Sequence, residues 1–476
     1  MSRRKWSALV VGLLVLVLAF AASSRARSRN EPVIAAGSSP SAASLGLAGT
    51  ASCSGRSCHG SLEPVPDKLI RQDEYTFWLS HDKHARAYQV LLEARARRMA
   101  ENLAPLNESG RVIPAHEDRR CLACHTVPQA AQKGPDSEIV QETRRLGVGC
   151  EACHGLANRE TGKGPWLKAH YSAAWKKLSP EQKAEYGMVN LADPLALAKT
   201  CAGCHVGAAD RDLNHDLMAA GHPRLTFEAS VFRANLPPHW NEAAKRKDRG
   251  EGYETRLWAV GKAATTRASL ELLKHRATKA KEGAAPWPEF AEYGCFACHA
   301  DLQHPSWRRD HPSGRAPGSL PYNRWNSVFV SVLESNDKGQ VAEALSKVAS
   351  AMEQPNLDPE KIRELAGEGV ARLDELLLSA PRGPLALVRV RELATRLAAL
   401  ADKAEAWSWD EMEQAALAAG ACQADLAAAS REKQRLRVLY QKLAWPTGYE
   451  SPHGYRPDPA LLKDLRDLLH DLGQAR

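Results

Sequence analysis

Gly147-Val148-Gly149-Cys150-Glu151-Ala152-Cys153-His154-Gly155 sets two thiols three residues apart, with an imidazole directly after the second. Two thiols at that spacing can form thioethers to the two vinyl groups of one porphyrin, and the adjacent imidazole then meets the iron from one side. The pattern recurs at Cys121, Cys124, His125, at Cys201, Cys204, His205 and at Cys295, Cys298, His299. A wider C-x4-C-H is formed by Cys53, Cys58 and His59. Ten of the 11 cysteines fall in these five motifs. Zinc sites do not require a histidine after every second cysteine, and disulfide scaffolds are usually short chains with no such rule. Five covalently attached haem c groups are therefore expected, with His59, His125, His154, His205 and His299 as proximal iron ligands. In the first motif the two extra residues can loop out without moving the imidazole.

Each iron also needs a ligand on its other side. The chain has 17 histidines, five of them in the motifs, but only 6 methionines. Bis-histidine ligation is thus the default, with lower reduction potentials than His/Met ligation. From Glu74 to Leu103 apolar residues and the imidazoles His81 and His84 recur at helical spacing, which predicts one helix and favours His84 as a distal ligand. His116 follows Pro114 on a loop, and His170 follows Gly164, Pro165 and Trp166. His215 and His222 flank a short apolar turn ending in Gly221-His222-Pro223, where Gly permits close approach and Pro restricts the backbone. His84, His116, His170, His215 and His222 are the distal candidates. His239, His275, His304 and His311 are spare, with His304 as the reserve. Trp78, Trp166, Trp175, Trp240, Trp258, Trp287, Trp307 and Trp325 are expected to pack against porphyrin faces.

Arg3, Arg4 and Lys5 precede an apolar run from Ala8 to Ala22, the pattern of an export signal. Residues 1–22 are expected to be a cleaved signal peptide or a retained membrane anchor, which puts the protein in the periplasm or on the outer face of the cytoplasmic membrane. Haem is attached to such motifs outside the cytoplasm, so the two signals agree. Residues 23–51, rich in Ser, Ala, Gly and Arg, read as a flexible linker. The formal charge is +8, but five haems add roughly ten propionate charges, partly offset at the irons. The basic pI therefore gives no argument for nucleic acid as a partner.

The Trp78–Tyr88 segment, with its core of Ser80, His84, Ala85 and Ala87, resembles the helix that follows the first haem in multihaem cytochromes of the cytochrome c-554 type. Gly147 to Gly155 is similar to the Gly-Val-x-Cys-Glu-x-Cys-His-Gly signature of that family. Gly221, His222, Pro223, Arg224, Leu225, Phe227 and Glu228 are similar to its distal-ligand segment. The resemblance runs from about Cys53 to Trp325. It implies haems in stacked and perpendicular pairs on a mostly helical scaffold, passing electrons from iron to iron. The best-known member has four haems, one of them five-coordinate, whereas here there are five motifs and histidines enough for every iron.

From Asn326 onward no haem motif occurs. Ile362, Leu365, Ala366, Gly369, Leu373, Leu376 and Leu377 trace one helical stripe behind an Asp358 N-cap and Pro359. Ser408 and Glu411 form a capping box before a second stripe, running from Met412 through Ala415, Ala419, Cys422 and Leu426 to Leu436, Tyr440 and Leu443. Cys422 reads as a core residue. The expected fold is all-α: a pentahaem domain at 52–325 with few strands, and a haem-free helical bundle or hairpin domain at 326–476. The expected function is electron relay between redox proteins or quinol-linked donors and acceptors. The alternative is an oxidoreductase acting on a small nitrogen or sulfur compound at an open iron, and the absence of a C-x-x-C-K motif weighs against it.

Overall fold

The computed structural model describes residues 45–475, apart from 67–69, 108, 133–136, 296–298, 300–318, 335–338, 427–429 and 444–457. The export signal, most of the linker, Cys298, Trp307, His304 and His311 lie outside the described residues. Among the described residues the chain is helical without a strand, and two isolated bridges, Ala208 to Arg211 and Tyr293 to Tyr322, are its β-type pairing. The all-α expectation is met.

The N-terminal half is made of short helices: α1 (Glu74–His81), α2 (Ala94–Leu103), α3 (Arg119–His125), α4 (Glu138–Arg145), α5 (Cys150–His154), α6 (Trp166–His170), α7 (Pro194–His205), α8 (His215–Ala220) and α9 (Ala229–Asn235). The single helix expected from Glu74 to Leu103 is broken. Asp82 adopts an extended conformation after α1, and its carboxylate accepts from the His84 N–H to start a 3₁₀ turn over Lys83–Arg86. Aspartate is a strong N-cap, so it starts a new turn where continuous apolar periodicity suggested one helix. His81 and His84 consequently do not share a face. The His81 ring stacks on Phe77, with centroids 4.4 Å apart.

The expected linker ends earlier than Ala51. Leu47 is 1% exposed and packs with Val127, Ala130 and Val140. The N–H groups of Ala48 and Gly49 donate to the Glu151 carboxylate at 3.0 and 2.9 Å. Low apolar content hid this segment, because its attachment is made by backbone groups.

Helix α10 (Tyr253–Lys281) is the longest and is buried on most of its circumference, including Leu257, Trp258, Ala263, Ala264 and Leu273. Buried polar residues such as Arg256, Lys262 and Thr266 interrupt its apolar positions, so no clear stripe shows in the sequence pattern. One side packs on the fourth-motif helix α7 through Leu197, Ala198, Ala202 and Leu257. Other sides meet α12 (Pro359–Ser379) and α14 (Trp409–Asp425); α11 (Gln340–Met352) packs on α12, while α13 (Leu387–Asp402), α15 (Ser430–Lys442) and α16 (Pro459–Gln474) pack on α14. Leu270 and Leu273 pack with Ile362, Ala366 and Leu373, while Trp258 and Trp325 join Leu397, Met412 and Leu469. Arg267 pairs with Asp374 at 2.6 Å. The expected boundary at 325/326 therefore cuts through a shared core, and Ser41–Arg476 forms one compact unit.

Trp258 and Trp325, expected at porphyrin faces, are instead core residues, and Trp325 stacks on Trp409 at 6.0 Å. Trp287 donates to the Leu357 carbonyl in the same region. The Asp358 cap, the Ser408–Glu411 capping box and the fully buried Cys422 are all present. The second stripe, expected as one run, is divided between α14 and α15. No helix among the described residues is long and apolar enough to cross a membrane.

Two tests follow from α10. It begins after Gly252, which has no side chain to cap it; instead the Asp425 carboxylate, from the end of α14, accepts from the Glu254 and Thr255 N–H groups at 3.2 and 2.7 Å. Asp425→Ala should cost about 0.5–2 kcal/mol in chemical denaturation, with Asp425→Asn closer to wild type; equal stabilities of all three would contradict this cap. Lys262, 4% exposed, donates to the Trp325 carbonyl and to Gln414 Oε1 at 3.0 and 2.6 Å, and burial pulls its pKa down to about 7. An unfolded lysine holds its proton up to about 10.4, so across this window the unfolded state binds more protons and stability rises with pH. Wild type should gain stability over Lys262→Met between pH 7 and about 10; a pH-independent difference would contradict the assignment.

Candidate haem centres

Three motifs end helices: α3 at His125, α5 at His154 and α7 at His205. On a helix, residues i, i+3 and i+4 share a face, so each pair of thiols and its imidazole point the same way. Asp118 caps α3 through the Arg120 N–H, and Asp193 with Pro194 starts α7. The first motif is built differently. A 3₁₀ turn over Thr50–Cys53 is followed by a tight turn, in which the Cys58 N–H donates to the Gly55 carbonyl at 2.9 Å. The two extra residues are absorbed there. In the fifth motif the His299 N–H donates to the Cys295 carbonyl at 2.9 Å.

The third motif is held by its own inner residue. Glu151, between the two thiols and 3% exposed, accepts from the N–H groups of Ala48, Gly49 and Ala157 at 3.0, 2.9 and 2.8 Å. The preceding glycines bring the backbone close. Gly147 has φ +70 and a Cβ there would meet the His84 carbonyl at 2.5 Å, while one at Gly149 would meet Thr50 Oγ1 at 2.0 Å. The Val148 N–H donates to that same His84 carbonyl at 3.0 Å. The Gly-Val-Gly sequence thus fastens the third motif to the segment that carries His84.

Four motif imidazoles each face a second imidazole. His59 and His170 have ring centroids 5.8 Å apart, His125 and His222 6.4 Å, His154 and His239 6.3 Å, and His205 and His84 6.1 Å. Two imidazoles on opposite sides of one metal, each with a metal–nitrogen bond of about 2.0–2.1 Å, have centroids roughly 6–6.5 Å apart. Three of the spacings fall in that range, and His59 with His170 lies just below it, so the pairs fit the two axial positions of an iron. The first pair is near parallel at 24°, and the other three are near perpendicular at 78–87°.

The electrostatics also suit metal ligation, which needs a neutral imidazole with a free lone pair. Burial lowers the pKa values of His125, His170, His222 and His239. It takes His154 and His205 down to about 4. Nδ1–H of His125 donates to the Ala87 carbonyl and that of His222 to the Pro223 carbonyl, both at 2.7 Å, which leaves Nε2 available. His59 and His84 instead donate to carboxylates, Glu74 and Asp82, both at 2.9 Å, and these hydrogen bonds raise their pKa values. Thiols from different motifs also lie near one another: Cys53 by Cys150, and Cys124 by Cys204. Cys153 lies near Cys201 and Cys204.

Of the distal candidates, His84, His170 and His222 stand opposite motif imidazoles. His239, set aside as spare, stands opposite His154; it follows Pro237 and Pro238, the kind of loop signal that pointed to His116. The His116 ring lies beside Tyr88 at 6.5 Å, and Glu117 is its ion-pair partner at 3.6 Å. Among the described residues it meets no motif imidazole, because the loop after Pro114 turns toward α2 and the Tyr88 segment. His215 is tied to the Glu289–Phe290 turn, a few residues before the fifth motif. Its N–H donates to Glu289 at 2.8 Å, and its ring lies against Phe290 at 5.7 Å. Buried Arg276 ties this segment down, binding Glu292 at 2.7 Å, Asp212, and the Leu213 carbonyl at 3.1 Å. Trp166 and Trp175 contact the His170 ring, and Trp240 contacts that of His239.

No curated protein and no solved structure matches the chain. The family model described as cytochrome c554 and c-prime matches residues 52–155, the segment that holds the first three motifs and His84. The family implies covalently bound haem c and a role in electron transfer with redox partners. The match over residues 52–155 thus supports a c-type cytochrome similar to the cytochrome c554 and c-prime family.

Proposed function

We propose that this cytochrome is an exported pentahaem electron relay whose irons are held mainly by two histidines each. The observation that carries the proposal is the set of four facing imidazole pairs, 5.8 to 6.4 Å apart. Cys53 with Cys58, Cys121 with Cys124, Cys150 with Cys153, Cys201 with Cys204 and Cys295 with Cys298 would carry the thioethers. His59 with His170, His125 with His222, His154 with His239 and His205 with His84 would hold four irons, and His299 with His215 is proposed for the fifth. Haem bound in this way supplies a one-electron couple at low potential. The chain supplies half-buried imidazoles on both sides, which would leave a small substrate no exchangeable position at those four sites. This favours relay over the alternative of substrate chemistry at an open iron.

The placement of the thiols supports an order of transfer. The nearness of Cys53 to Cys150, of Cys153 to Cys201 and Cys204, and of Cys124 to Cys204 would make the first, third, fourth and second sites successive neighbours. Export is supported by the basic and apolar N-terminal residues and by the location of haem attachment, and redox proteins or quinol-linked donors and acceptors are the proposed partners.

Electron paramagnetic resonance of the oxidised holoprotein, with haem counted per chain, tests the reading. Five haems and low-spin ferric signals are expected. Perpendicular imidazoles leave the iron d orbitals nearly degenerate, so three strongly anisotropic signals should accompany a rhombic one from the parallel pair. His239→Ala should convert one haem to high spin, and His116→Ala should change nothing. A wild-type high-spin signal that shifts on adding nitrite or hydroxylamine would favour the enzyme instead.

A further inference from the structure

Of the eight facing imidazoles, His59, His84, His125 and His222 donate their Nδ1 proton to acceptors of two kinds. At the second site both partners are neutral: His125 donates to the Ala87 carbonyl and His222 to the Pro223 carbonyl. At the first site His59 donates to Glu74 Oε2 at 2.9 Å, and at the fourth His84 donates to Asp82 Oδ1 at 2.9 Å. Both carboxylates are held in place. Glu74 Oε1 accepts from the Arg71 N–H at 2.6 Å, and Asp82 Oδ1 also accepts from the His84 N–H at 2.9 Å. Their side chains are 17% and 5% exposed, so little water competes for these bonds. Glu74 is the first residue of α1 and Asp82 follows its last, so one short helix reaches two haem sites from its two ends.

We propose that Glu74 and Asp82 are positioning residues that set the reduction potentials of the first and fourth haems below that of the second. This rests on the ligation proposed above. A carboxylate that shares the Nδ1 proton makes a charge-assisted hydrogen bond and raises the basicity of the imidazole. A more basic Nε2 favours the ferric state over the ferrous one, and hydrogen bonding around the axial ligand is one of the protein's levers on haem potential. No bond forms or breaks in the step being tuned. The proton stays on Nδ1 while one electron arrives from a redox-protein partner. At equilibrium the second site should fill before the first and fourth, although it lies at the end of the proposed order of sites.

The test is a spectroelectrochemical titration of wild-type, Glu74→Gln and Asp82→Asn holoproteins, with electron paramagnetic resonance at poised potentials to identify each haem. Asn still caps the turn at His84, and Gln still accepts from Arg71, so the fold is retained. Should one variant lose haem, the other decides. Each variant should keep its five haems and low-spin signals. Each should raise the midpoint of a different single haem, by about tenfold in its reduction equilibrium, or about 59 mV for a one-electron couple. Unchanged midpoints, or a common shift of all haems, with ligation intact would overturn the proposal while leaving the ligation reading standing. High-spin iron at these sites in wild type would overturn the ligation reading and this proposal with it.

Discussion

Pairs of imidazoles held about 6 Å apart, close to the spacing of two ligands on one metal, are what the N-terminal half is shaped around. A motif supplies one imidazole locally, at the end of a helical turn. The other must be brought from elsewhere: 111 positions separate His59 from His170, and 121 separate His205 from His84. The chain therefore crosses itself repeatedly, through short helices and turns and without a strand among the described residues. This accounts for the buried polar clips at the crossings. Glu151 holds the N-terminal segment to the third motif, and the Gly147–Gly149 backbone lies against the His84 carbonyl.

The C-terminal half answers a different need. Haem-bearing segments with short helices bury little apolar surface among themselves, and α10 offers them one side while the later helices cover its others. The Lys262–Gln414 and Arg267–Asp374 contacts sit in that junction. The packing of α10 against α7, whose last residue is the motif histidine His205, makes the later helices part of the frame that positions that imidazole.

Attachment thiols and motif histidines were legible because their chemistry is local: three-residue spacing and adjacency are written in the sequence itself. His84 was singled out by helical spacing, on a helix that is in fact broken, and His170 and His222 by their loop and turn contexts; all three stand opposite motif imidazoles. His239 was not singled out, because pairing with His154 depends on how the chain returns after Pro237 and Pro238, and the same loop signal misled at His116. Periodicity located the stripe on α12, yet it could not see the break at Asp82, where one capping carboxylate outweighs apolar spacing. Nor could it see α10 as the shared core, since buried polar residues interrupt the apolar positions of that helix. The packing of Leu47 escaped notice because its segment is held by backbone hydrogen bonds to Glu151.

The central claim is that these imidazole pairs are the two sides of the same irons. Anomalous scattering at the iron absorption edge, from crystals of the holoprotein, tests it most directly. The account predicts five iron positions, four of them midway between His59 and His170, His125 and His222, His154 and His239, and His205 and His84, with first, third, fourth and second sites as successive neighbours. An iron flanked by its motif histidine alone at any of those four sites, or a distal ligand other than the one named, would contradict it.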